Sequence, residues 1–233
     1  MEDAAASLLD EIRARLELLE SSLPTRIDAM EVSETAKLPF NALWCRATLL
    51  WRMVELSRSA FESFEKDKLA VAILLTRAAV ETSAALWYLC GKIEAATTSG
   101  VVGDIGTHLQ RLGMGSRIDS DMPQAISVLT FVDRVNQDVD GFRHQYDSLS
   151  ELAHPNWRGT GLLYSKPDPQ NLWVDLGTNL RGADGTNYIG VANLSVALMF
   201  FERSYNRIAE IMPAFITLCE SQLKEAGRSP SAR

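Results

Sequence analysis

The sequence predicts an all-α protein, a single bundle of about six or seven helices with a small β-hairpin insert near residues 160–178. Three observations carry this prediction. Apolar residues recur at spacings of three and four through most of the chain. The stretch KLAVAILLTRAAVETSAALWYLCGK, residues 68–92, is apolar on nearly every side, as a helix in the middle of a bundle must be. The one interval with strand-like texture follows Gly159 and is short and rich in turn residues.

Taken in order, the first helix runs from about Ala4 to Ser22 and sets Leu9, Ile12, Leu16, Leu19 and Leu23 at alternating spacings of three and four. That narrow seam suits an outer helix lying on its own bundle or a dimer contact. Pro24 closes it, and Thr25 to Lys37 reads as a polar connector with at most a short helical turn. The second helix, Leu38 to about Lys66, carries a broad stripe that includes Trp44 and Trp51, expected in the core or on a ligand-stacking surface. Arg46, Arg52 and Arg58 fall at its margin and read as a solvated flank. The break at Glu65–Asp67 then makes the second and third helices antiparallel neighbours.

Beyond Ala96 the texture loosens. Gly100, Gly103 and Gly106 match neither a dinucleotide fingerprint nor a Walker loop, and lead into a short helix, His108 to Leu112. Pro123 suits the first turn of a helix over Gln124 to Asn136. Gly141 to His154 is helical with a mixed face, and Pro155 ends it. Leu162–Ser165 and Leu172–Leu176 are the expected strands, a flap or a plain surface excursion. A terminal helix spans Tyr188 to about Glu225, bent at Pro213. Residues 1–226 thus form one domain, and 227–233 a disordered tail.

Composition narrows the function classes. A chain of 233 residues, 46% hydrophobic and 23% charged, has ordinary globular content. Its net charge of -7 argues against a sequence-blind grip on nucleic acid. Three cysteines with no metal-ligand spacing, and three histidines with no HExxH pair, predict a reduced compartment, no metal and no cofactor. The acidic amino terminus is no export signal, and charges interrupt the longest apolar run, so a cytoplasmic protein away from the membrane is expected.

The candidate site joins three pieces. Arg77 and Glu81 stand one turn apart on the greasiest helix, where ionised groups need partners. Tyr146, Ser150 and His154 step by four along the later helix and are expected to complete that shell. Asn156 and Arg158 follow the proline as ligand-binding candidates. The network is either a structural pin between helices, a ligand or nucleotide site, or a catalytic centre.

The pairing of RAAVE with YDSLSELAHPN resembles an uncharacterised group of bacterial all-helical proteins similar to the HEPN superfamily. The resemblance spans roughly residues 61–156 and rests on Arg77, Glu81, Tyr146, Ser150 and His154. It implies a homodimer acting on RNA or a nucleotide, as a metal-independent ribonuclease or nucleotide-binding protein of a toxin or phage-defence system. On that view His154 is the acid or base, Arg77 or Arg158 the phosphate clamp, and Tyr146 a donor, with Glu81 beside them. The superfamily's nuclease motif places four to six residues between Arg and His, whereas ten separate Arg143 from His154. The alternative is a non-enzymatic dimeric interaction module with a purely structural polar centre.

Overall fold

A computed structural model describes residues 2–181 and 185–228. Nine helices and one two-stranded sheet are found among them: α1 (Glu2–Ser21), α2 (Ala29–Val32), α3 (Lys37–Glu65), α4 (Leu69–Ser99), α5 (Ile105–Gly113), α6 (Val128–Asp138), α7 (Phe142–Ala153), α8 (Gly161–Tyr164), the strands β1 (Ser165–Asp168) and β2 (Trp173–Leu176), and α9 (Gly185–Arg228). Since α2 and α8 are single turns, seven helices build the bundle.

The central position of α4 follows from its composition. Alanines and small hydroxyl residues let neighbours approach closely, and no proline interrupts it; α9 and α3 take most of its surface, with α6 and α7 on the remainder. It continues past Lys92 to Ser99 and stops where Gly100 adopts φ +69, a left-handed conformation that glycine enters without a Cβ penalty. By length and composition this helix could cross a bilayer, contrary to the expectation from its interrupting charges; in the fold, more than half of its most apolar stretch is buried.

The α1 seam is spent on the chain's own bundle: Ile12, Leu16 and Leu19 are buried against α9 and α3. A paired Arg58 fastens it, donating two 2.7 Å bonds to Glu20 and holding that carboxyl below its ordinary range. The solvated-flank expectation therefore fails for Arg58, and fails further for Arg46. The Arg46 guanidinium lies 3.3 Å from the Tyr205 ring centroid and donates to the Tyr205 carbonyl, and burial pulls its pKa down. Conversely, Trp51 is not core: it is 49% exposed and lies on the α1–α2 connector, its indole N–H donating to the Pro24 carbonyl.

Two further boundaries differ from the sequence prediction. Pro123 does not open a helix, because its segment is committed elsewhere: Ser116 donates to the Pro123 carbonyl at 2.8 Å and accepts from Ala125 at 3.1 Å, and α6 starts only at Val128. In the hairpin, residues 162–164 belong to α8, and the first strand begins at Ser165, pairing Ser165 with Leu176 through Asp168 with Trp173. Pro167 is tolerated because a two-stranded ribbon leaves one edge of each strand unpaired. The turn is held by Asp168, whose carboxylate accepts from the Gln170 and Asn171 backbone and the Asn171 side chain.

The terminal helix runs through Pro213 and reaches Arg228, so Gly227 and Arg228 of the expected tail are helical. The rest of that tail, residues 229–233, lies outside the described residues.

Candidate functional site

The i, i+4 placement of Arg77 and Glu81 on α4 sets both side chains on the face that meets α7. There the Arg77 Nε donates to the Ser150 Oγ at 3.0 Å and Nη2 to the Tyr146 hydroxyl at 2.8 Å. The Tyr146 O–H in turn donates to Glu81 Oε1 at 2.9 Å, and the Arg77 Nη2 stands 3.3 Å from that same oxygen. The tyrosine hydroxyl thus accepts from the cation and donates to the anion. Burial raises the Tyr146 pKa first; the bond from Arg77 lowers it, and Glu81 adds to the rise. Ser150 is anchored by donating back to the Tyr146 carbonyl at 3.0 Å, as serine does one turn along a helix.

This network is not sealed in the core. The Arg77 and Glu81 side chains keep 31% and 21% of their exposure, so the pair sits at the rim of the α4–α7 contact rather than among the fully buried residues. Arg77 Nη1 and Glu81 Oε2 have no partner among the described residues.

Of the seven candidates, four come together and three do not. His154 stands outside the network: its side chain is exposed and makes no hydrogen bond or ion pair among the described residues. The reason is local. Stepping by four places His154 below Ser150 only while the backbone stays helical, and ahead of Pro155 it adopts φ -87, ψ 151, an extended conformation. Asn156 organises the turn that follows. Its Oδ1 accepts from the Arg158 and Gly159 backbone at 3.0 and 3.1 Å, while its Nδ2 donates to Glu151 at 2.8 Å. Arg158 is exposed, with no side-chain partner among the described residues. Arg143, the nearest upstream arginine, is committed to Asp133 and Asp147, bracing α6 against α7.

A second polar cluster escaped the sequence reading. His108 on α5 has its Nδ1 2.8 Å from the Tyr88 hydroxyl, and its Nε2 2.9 Å from Lys92 Nζ and 3.1 Å from Asp104 Oδ2. With Nε2 protonated the ring donates to Asp104 and accepts from Tyr88; with Nε2 bare it accepts from Lys92 and donates to Tyr88. The signal was present as two i, i+4 pairs, Tyr88 with Lys92 and Asp104 with His108, but nothing in the sequence says that α4 and α5 present them to each other. Among the described residues no group of three His, Cys, Asp or Glu side chains is placed to hold a metal ion.

Comparison with protein-family models, with curated proteins and with solved structures finds no match to this chain. None of these comparisons links the chain to the HEPN superfamily.

Proposed function

We propose that the chain is a non-enzymatic, homodimeric helical interaction module whose Arg77–Glu81–Tyr146–Ser150 network is a structural pin between α4 and α7. The observation that carries this reading is the hairpin. Leu172 in the turn and Trp173, Val174 and Leu176 on β2 are each more than half exposed, and the outer edge of β2 is unpaired. Adjacent exposed apolar residues of this size mark an interaction surface, and an isolated two-stranded ribbon is marginal in water. Pairing of β2 with its copy about a two-fold axis extends the ribbon to four strands, satisfies the free edge and gives those side chains cross-strand neighbours. The polar centre supports the reading from the other side, since Arg77, Glu81, Tyr146 and Ser150 bond to one another across α4 and α7 and the acid–base candidate stands apart. Light scattering after gel filtration tests it: the wild-type chain is expected as a dimer, and Trp173→Lys with Leu176→Lys as a monomer with an unchanged helical spectrum. A wild-type monomer at high micromolar concentration rejects it.

A second reading, a metal-independent ribonuclease or nucleotide-binding protein of a toxin or phage-defence system, is favoured by one feature. His154 and Arg158, both exposed just beyond the end of α7, and the Nη1 of Arg77 have no partner among the described residues. RNA cleavage without metal needs a base for the ribose 2′-hydroxyl, an acid for the leaving oxygen and a cation for the phosphorane. Labelled RNA incubated in EDTA separates the two readings. Cleavage by wild type that His154→Ala abolishes overturns the non-enzymatic reading; intact RNA with both proteins overturns the nuclease.

A further inference from the structure

A cavity of about 290 Å³ lies where the start of α4, the flanks of the hairpin and the opening turn of α9 converge, and none of the network residues lines it. Its walls are apolar at Phe64, Leu69, Leu163 and Leu180, and its charged lining is three cations, Lys66, Lys68 and Arg181, against one acid, Asp67. That local excess of positive charge stands in a chain whose net charge is -7. Two buried atoms here have no partner among the described residues, Arg181 Nε and Asn187 Oδ1. The other end of Arg181 is occupied, Nη2 donating to the Ser165 carbonyl at 3.0 Å. Lys66 is loosely paired with Glu62 at 3.4 Å on the outer side.

The start of α4 adds a separate set of donors. Lys68 occupies the cap position with no side-chain bond to the helix, and the first backbone bond into it is donated by Ala72. The N–H groups of Leu69, Ala70 and Val71, all cavity-lining residues, therefore have no acceptor among the described residues. A buried N–H without an acceptor is costly and uncommon in native folds. Here one such group on Arg181 and one uncapped helix start meet beside two lysines, which is the donor set that receives an anion.

We propose that this cavity binds a small organic anion, a carboxylate or phosphate monoester carrying a short aliphatic body. The anionic head takes the Arg181 guanidinium, Lys68 and the α4 N–H groups, and the body lies on Phe64, Leu163 and Leu180. The volume, at the lower edge of the usual range of about 300–1,000 Å³ for ligand pockets, limits the ligand to a short chain. Because Arg181 also holds the Ser165 carbonyl at the base of β1, occupation steadies the hairpin.

Calorimetric titration of the full chain with hexanoate, hexyl phosphate, hexan-1-ol and inorganic phosphate tests this. At least one of the two amphipathic anions is expected to bind once per chain, at least about tenfold tighter than the alcohol or inorganic phosphate. Which of the two binds tells the carboxylate source from the phosphate source. Arg181→Gln and Lys68→Glu are each expected to weaken binding several-fold. Lys68 is exposed, so its variant decides the matter if loss of the Arg181 bond to Ser165 disturbs the fold. No binding of either anion, equal binding of the alcohol, or undiminished binding in a folded Lys68→Glu variant overturns the proposal.

Discussion

Replacing Arg77 by alanine removes the hub of the polar network, and the structure sets the size of the loss. Two hydrogen bonds from a charged donor disappear, those to Ser150 and Tyr146; each such bond contributes about 1.5–3 kcal/mol when buried. The side chain is 31% exposed, which halves that figure, because water already competes for the guanidinium. The direct contact with Glu81, at 3.3 Å and partly exposed, adds no more than about 1 kcal/mol. What remains after truncation is tolerable: Ser150 keeps its bond to the Tyr146 carbonyl, and Tyr146 still donates to Glu81. A loss of about 2–3 kcal/mol follows, below the roughly 3–5 kcal/mol of stranding a fully buried charge. For a chain of this size that is a fall in Tm of roughly 4–12 °C. Urea and thermal denaturation followed by circular dichroism measure it. A double-mutant cycle with Tyr146→Phe should show coupling of about 1 kcal/mol, since the two side chains share one network. A loss below about 0.5 kcal/mol, the level of an ordinary surface change, would show that the network does not hold α7 to α4.

Three other outcomes are expected. Gly159→Ala should destabilise by more than about 1 kcal/mol, because a Cβ there runs into the carbonyls of His154 and Leu152 at the end of α7; a variant as stable as wild type would mean that the Asn156–Gly159 turn is not packed as described. Burial pushes the thiols of Cys45, Cys90 and Cys219 up to about 11. Above about pH 8.5 the unfolded chain sheds thiol protons that the folded chain retains, so stability is full below that pH and falls as it rises towards 11. Melting curves at pH 8 and pH 10.5 should show the drop, smaller in Cys45→Ala, and coincident curves would contradict the burial. The same three thiols should resist an alkylating reagent at pH 7.5 until denaturant is added, rapid labelling of the native chain being the contrary result.

How much of this was legible depends on the range over which each signal acts. The bounds of α3, the seam of α1 and the apolar length of α4 were readable because helical periodicity and caps are local. So were the two halves of the polar centre, Arg77 with Glu81 and Tyr146 with Ser150, each an i, i+4 pair. The step to His154 failed for a reason the sequence also contained: Pro155 takes its predecessor out of the helix, and with it off the shared face. Trp51 illustrates the opposite limit. A tryptophan on an apolar stripe reads as core, yet its neighbour here is a connector carbonyl, which ends up there only once α1 has crossed α3.

The sequence by itself therefore determined the helical class, the place of the insert and which polar residues share a turn, because those depend on neighbours within one or two turns of backbone. Only the tertiary structure decided that Arg46 is stacked on Tyr205, that His108 rather than His154 is the networked histidine, and that the starts of α4 and α9 enclose a cavity with unpaired donors. Each of these depends on which helices pack together and at what rotation, a choice made by the summed burial of many side chains and not by any short run of residues.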